Sequence, residues 1–351
     1  MNINYQKNIA SSQATLPVVG VIAALMWYLL PDTWHHTTFD GNDYLLWQYI
    51  PSALTGGIWS VTSSILLSST SVYLMAELNN SNMLLRVSSR MLSSMLAMMT
   101  GILLSLHELH PGHLLMLFSM LSLFPILSSY QQPSPLLTFN AFLFLSLSSL
   151  AFPKILWSAT LYWTLFCMLR AMTARCAVAS LLALLLPYWL ICGAVIYTGE
   201  TQDFLAHLHS IIDFRWHDYS NIPAYTAVPF IFFTILFFIG SADFFANRYQ
   251  DKTRTRISLT AVIAHGAFYI IAMALQPQYI TVLLPLLLIS ASIMFGHYFT
   301  LTHTKLSHIL MCVILTAAIA VIVLQYDIAI AENIDNASST IKKWIHSISF
   351  L

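Results

Sequence analysis

The chain has 351 residues, 58% of them hydrophobic and only 8% charged, with a mean hydropathy of +0.73. A soluble domain carries roughly 25% charged residues, so this composition excludes a water-exposed globule and points to an all-α, polytopic membrane bundle forming a single domain over 1–351. Formal net charge is zero, which removes any electrostatic case for a nucleic-acid partner.

A membrane-spanning helix needs roughly 20 apolar residues, and on that criterion about eleven spans are predicted, within a range of nine to twelve. They are Leu16–Leu30, Ser52–Ala76, Met91–Leu106, Leu114–Leu127, Leu136–Phe152, Ile155–Leu169, Cys176–Thr198, Ala227–Phe245, Ile257–Leu275, Ile280–Leu301 and Ile309–Tyr326. The fourth and sixth are the short ones, candidates for re-entrant or interfacial segments. The first span follows a polar run and lacks a small-residue cleavage site, so an uncleaved helix is expected. The four cysteines, Cys167, Cys176, Cys192 and Cys312, lie in or beside apolar segments without metal-type spacing and read as packing thiols.

Orientation follows from Lys and Arg in short loops. With the N-terminus inside, ten of the fourteen lie on the cytoplasmic side, led by the run NRYQDKTRTR (Asn247–Arg256), and only Lys154, Arg215, Lys342 and Lys343 lie outside. Most acids fall on the outer side. The expected arrangement is therefore a cytoplasmic membrane crossed from an N-terminus inside, with the C-terminal tail 327–351 outside.

Two outer loops exceed what connection requires. The first, Pro31–Pro51, holds Asp32, Asp40 and Asp43 with several aromatics and no Lys or Arg. The other, Gly199–Thr226, places Phe204, Leu205, Leu208, Ile211, Ile212 and Phe214 at helical spacing, with acids and histidines between them. Both are expected to contain helices lying along the membrane surface.

Asp40 and Asp43 share one face of such a helix and are candidates for a general base, or for holding a divalent cation. His107, Glu108, His110 and His113 form the densest metal-capable cluster, with ligand types that suit zinc. The spacing is not HExxH, and Pro111 interrupts any regular helix through the loop. Arg215 and Lys154 are candidate phosphate ligands on the outer side. Within spans, His265 is expected to hydrogen-bond to a neighbouring helix, and Asp243 to pair with Arg248. The hydroxyls of Ser60–Tyr73 are expected to return to backbone carbonyls.

Three stretches carry a resemblance. SLSSLAFPKILWSATLYWTLFCMLRA (Ser146–Ala171), LLALLLPYWLICGAVIY (Leu181–Tyr197) and DFLAHLHSI (Asp203–Ile211) resemble an uncharacterised family of polytopic bacterial inner-membrane proteins. The likeness covers under a third of the chain and implies a membrane location. The layout is also similar to the C-type fold of membrane glycosyltransferases, in which a first span leads to an outer loop bearing a catalytic acid, followed by many further spans. That likeness implies a sugar donor on a polyprenyl phosphate. By position it carries across only Asp40 and Asp43, and the chain departs from the pattern in lacking a large outer soluble domain. A transporter or flippase, and a non-catalytic membrane subunit with protein partners, are the alternative expectations.

Overall fold

A computed structural model describes residues 14–29, 57–86, 89–199, 201–213, 222–302 and 307–326, with Ser12 and Ile50 singly. Asp40, Asp43, Arg215 and the C-terminal tail lie outside the described residues, as does nearly all of Pro31–Pro51.

The described residues form twelve helices and no strand. In chain order these are α1 (Thr15–Leu29), α2 (Gly57–Asn82), α3 (Met91–Ile102), α4 (Pro111–Ser128), α5 (Pro135–Ala151), α6 (Ser158–Met168), α7 (Ala174–Thr198) and α8 (Thr201–Ile212). They continue with α9 (Ala224–Asn247), α10 (Thr253–Leu275), α11 (Ile280–Leu301) and α12, which spans residues 307–326. Each expected apolar stretch is helical over most of its length, and α8 is the amphipathic helix expected after residue 199. Seven helices are long and apolar enough to cross a membrane: α2, α4, α7, α9, α10, α11 and α12.

The shortest segments differ from expectation. The fourth stretch forms a full 18-residue helix, because Pro111 sits at its first turn, where the missing N–H costs nothing, and His110 caps it. The third stretch shortens instead. Leu103 turns extended and a 3₁₀ turn follows, leaving α3 about 18 Å long at about 1.5 Å per residue. The sixth begins as a 3₁₀ turn, Pro153–Trp157, before the 11-residue α6.

α11 is the axis of the bundle, packed by α3, α4, α9 and α10. The crossing-length stretch at α11 is 89% buried, against 17% for α7. The outer helices turn Val178, Leu182, Leu185 and Trp189 of α7 to the surroundings, with Ile309, Val313 and Ile319 of α12. In water that apolar surface would be unfavourable at about 25 cal/mol per Å²; against lipid it is not. Close approach is set by small residues. A Cβ on Gly240 of α9 would lie 2.5 Å from the Met294 carbonyl carbon of α11.

Hydrogen bonds join helix ends into two groups. At one end, Trp27 Nε1 donates to the Leu106 carbonyl, Ser64 Oγ to the His107 carbonyl and Gln325 Nε2 to the Ile102 carbonyl. At the other end, Arg86 pairs with Asp251, and Thr255 Oγ1 donates to the Met83 carbonyl. Arg86, Arg90, Arg170, Arg175, Arg248, Lys252, Arg254 and Arg256 belong by helix connection to this basic end. Among the described residues, Lys154 is the one Lys or Arg at the opposite end.

Candidate functional site

Lys154 is held by two proline-initiated turns that face each other. Phe152 is extended and stops α5, and Pro153 opens the turn that carries Lys154. Gln276 likewise closes α10, and Pro277 opens the 3₁₀ turn Pro277–Tyr279. Proline suits both positions because it fixes φ and lacks the N–H that a first turn leaves unpaired. Lys154 Nζ donates to Tyr279 Oη at 2.7 Å and lies 4.5 Å from that ring's centroid. The Phe152 ring meets Tyr279 edge-on at 5.2 Å.

Around this pair is a narrow cleft with about 340 Å³ of empty space, part of it open to the surroundings, lined also by Trp157, Ser158, Phe268, Tyr269 and Gln276. Lys154 is only 9% exposed, and among the described residues no carboxylate lines the cleft. A buried ammonium ordinarily has an anionic partner; here its neighbours are a phenol and aromatic rings. Gln276 is 2% exposed, and both its amide nitrogen and its amide oxygen lack a hydrogen-bond partner. Tyr269 Oη donates to Ser158 Oγ at 3.1 Å, so those hydroxyls are paired. Trp157 Nε1 donates to the Ile211 carbonyl at 3.0 Å, which fastens the amphipathic α8 to the Lys154 turn.

The histidine loop is built differently from the expected metal cluster. His107 Nε2 bonds to the Gly101 carbonyl at 3.0 Å, and His113 Nε2 to the Leu106 carbonyl at 3.1 Å. His110 is the N-cap of α4, its Nδ1 accepting from the Gly112 N–H, while His113 Nδ1 lies 3.3 Å from the His110 N–H. The two form a reciprocal cap of the kind Ser and Glu usually make. Burial pushes His107 down to about 4 and His110 down to about 3, so both rings are neutral. Glu108 sits half-buried on the same turn. Among the described residues no group of three or more His, Cys, Asp or Glu comes together to hold a metal ion. The imidazoles instead satisfy the backbone of a tight turn.

Elsewhere, His265 bonds to Ser290 Oγ through Nδ1 at 2.7 Å and to Ser119 Oγ through Nε2 at 3.2 Å, reaching helices α11 and α4. Asp243 accepts from Asn247 Nδ2 and Thr302 Oγ1 rather than from Arg248, because α9 and α11 are packed side by side there. Hydroxyls of α2 return to carbonyls three or four residues back, as with Ser63 and Thr70. The four cysteines are free thiols.

Three features escaped sequence reading. Tyr279 and Gln276 lie more than 120 residues from Lys154, and only the Gln-Pro-Gln-Tyr turn hinted at them. The Arg86–Asp251 pair, with His297 Nε2 at 3.6 Å from Asp251 Oδ2, joins three elements that no spacing connects.

No protein-family model matches the chain, and comparison with curated proteins finds no match either.

Proposed function

We propose that this chain is a multi-pass protein of the bacterial inner membrane, crossing it about eleven times with the N-terminus inside and the C-terminus outside. The proposed activity is that of a C-type membrane glycosyltransferase, moving a sugar from a polyprenyl-phosphate donor to an acceptor on the outer side. The observation that carries this reading is Lys154: a buried cation with no carboxylate among the described residues of its cleft, at the end of the bundle away from the basic loops. Such a site favours an anion that arrives with apolar surface attached, as a lipid phosphate does. The distribution of charge between the two ends supports the orientation. The grouping of helix ends supports the count of crossings.

In this reading Lys154, with Arg215 as a second cation, holds the donor phosphate. Asp40 or Asp43 takes the proton of the acceptor hydroxyl as its oxygen attacks the anomeric carbon. The bond from that carbon to the phosphate oxygen breaks, and its electron pair leaves on the lipid phosphate, stabilised by the cations. No strong general acid is needed for so good a leaving group. Membership in the uncharacterised inner-membrane family that Ser146–Ala171 resembles is part of the same proposal.

The test uses membranes containing the full chain and a radiolabelled polyprenyl-phosphate hexose. Label is expected to leave the lipid in the wild type, and this release is expected to fall at least about a hundredfold, near 3 kcal/mol, in Lys154→Gln and in the double variant Asp40→Asn with Asp43→Asn. No release above membranes lacking the chain refutes the enzymatic reading and favours a non-catalytic subunit; release unchanged by the double aspartate variant refutes the role given to Asp40 and Asp43.

A further inference from the structure

We propose that Gln276 is a specificity-determining residue of the Lys154 cleft, and that it reads a hydroxyl carried beside the phosphate of the bound headgroup. The inference rests on the lysine-cleft reading above and adds to it what accompanies the phosphate. Gln276 lies between α10 and the turn bearing Tyr279, and its backbone is fully engaged. Its N–H donates to the Ala272 carbonyl at 3.0 Å, and its carbonyl accepts from the Tyr279 N–H at 3.1 Å. The side chain is therefore fixed in the cleft wall while both ends of its amide stay unpaired in a buried place.

A buried amide without partners is unfavourable, and folded proteins pair nearly all such groups. A carboxamide offers two N–H donors and one acceptor oxygen, so a phosphate oxygen, which only accepts, matches half of it and is repelled by the rest. A hydroxyl both donates and accepts and matches the whole. The cleft is narrow and the amide lies just beneath its wall, so only a hydroxyl-sized group, entering as the wall gives, reaches Gln276, and the body of a ring stays outside. The cation, the phenol of Tyr279 and the amide together describe a phosphorylated hydroxyl-bearing headgroup, such as a hexose phosphate. That chemistry is shared by a lipid-linked sugar and by a free sugar phosphate, and the two differ in whether binding needs the lipid chain.

The experiment measures binding to the full chain in nanodiscs of zwitterionic lipid. The probes are a polyprenyl phosphate, the same lipid bearing one hexose, the uncharged prenol, and hexose 1-phosphate in solution. The wild type is expected to prefer the hexosylated lipid over the bare phosphate by about tenfold, the factor that about 1.4 kcal/mol carries. Gln276→Met, of matching volume, is expected to erase that preference while leaving bare-phosphate binding unchanged, and to keep or raise the melting temperature of the unliganded protein. Equal binding of the two phosphates by the wild type overturns the assignment. So does an equal loss for both in Gln276→Met, or a lowered melting temperature in that variant. If Lys154→Gln binds every probe as the wild type does, the lysine-cleft reading itself fails. Gln276-dependent binding of hexose 1-phosphate at the lipid's affinity keeps the hydroxyl assignment and identifies a soluble source.

Discussion

The crossing of α9 over α11 rests on one missing methyl group, and replacing Gly240 with alanine tests how much of the fold that crossing carries. A Cβ at Gly240 would lie 2.5 Å from the Met294 carbonyl carbon, 2.6 Å from its oxygen and 2.7 Å from the Phe295 nitrogen. These are backbone atoms of the axial helix, and no rotamer change moves them aside. Ordinary contact begins near 3.4 Å, so the helices must part by about 0.9 Å. A gap of 0.5–1 Å forfeits roughly a quarter to a half of each dispersion contact it opens, and overpacking in a close-packed interior typically costs about 1–3 kcal/mol. Alanine's better helix propensity returns about 1 kcal/mol. A net loss of up to about 2 kcal/mol is expected for Gly240→Ala. Gly193→Ala is the control, since nothing lies within 4 Å of a Cβ built there, and it should match or exceed the wild type. Gly266→Ala should also destabilise, because a Cβ there would meet the buried ring of Phe237 and lie 2.9 Å from the Ser290 Cβ. Thermal unfolding of the purified protein in one detergent reads all three. If Gly240→Ala melts with Gly193→Ala, the close crossing is not where the structure puts it.

Arg86→Ala should destabilise by about 1–3 kcal/mol, the cost of leaving a buried acceptor unsatisfied, because it strands the buried carboxylate of Asp251 beside His297 while Arg86 itself is partly exposed. Adding Asp251→Asn should recover most of the loss; a double variant no better than the single one refutes the pairing. The histidine turn predicts a pH dependence. His107 and His110 are pushed below the ordinary 6.5, to about 4 and about 3, by burial. The unfolded chain therefore binds protons that the folded chain does not, and stability falls as pH drops below about 6.5, continuing to about pH 4. Each ring contributes up to about 1.4 kcal/mol per pH unit in that window. His107→Gln should flatten melting temperature against pH, and a chelator should leave the curve where it is. A chelator-induced fall points to a bound metal instead.

The helices were legible because a 15–26-residue apolar run has few other ways to satisfy its backbone in lipid. Even the amphipathic α8 announced itself through the spacing of Phe204, Leu205, Leu208 and Ile212. What sequence could not rank was the length of short spans. Leu103 and Leu104 look as helical as their neighbours, and only the packed turn beyond them shows why α3 stops at Ile102. Histidines at three-residue intervals resemble ligands on paper, yet a capping imidazole and a ligating one have the same sequence signature; the backbone they face decides between them. Asp243 was paired with Arg248 on chain proximity, whereas side-by-side packing of α9 and α11 brought Thr302 closer. Lys154 could be singled out by charge bias alone. That no carboxylate among the described residues lines its cleft, and that Gln276 stands unpaired there, are long-range facts.

The buried histidines and the Lys154 cleft use their polar groups differently. His107, His110, His113 and His265 have hydrogen-bond partners: carbonyls and amides at the turn, Ser119 and Ser290 within the bundle. A transporter reading would ask His265 to exchange partners as cargo or protons pass, and that requires breaking bonds to two other helices at once. Ser122 and Tyr162, in the same interior, are likewise closed on each other at 2.5 Å. Such a network holds helices in register, a role polar side chains commonly take between membrane helices. Buried Ser68 and Ser241 are also unpaired, each by itself; Lys154, with no carboxylate among the described residues of its cleft, and Gln276, with an unpaired amide, line the same cleft. A folded chain tolerates such groups where a ligand completes them, and the two meet at a single cleft on the end of the bundle away from the basic loops.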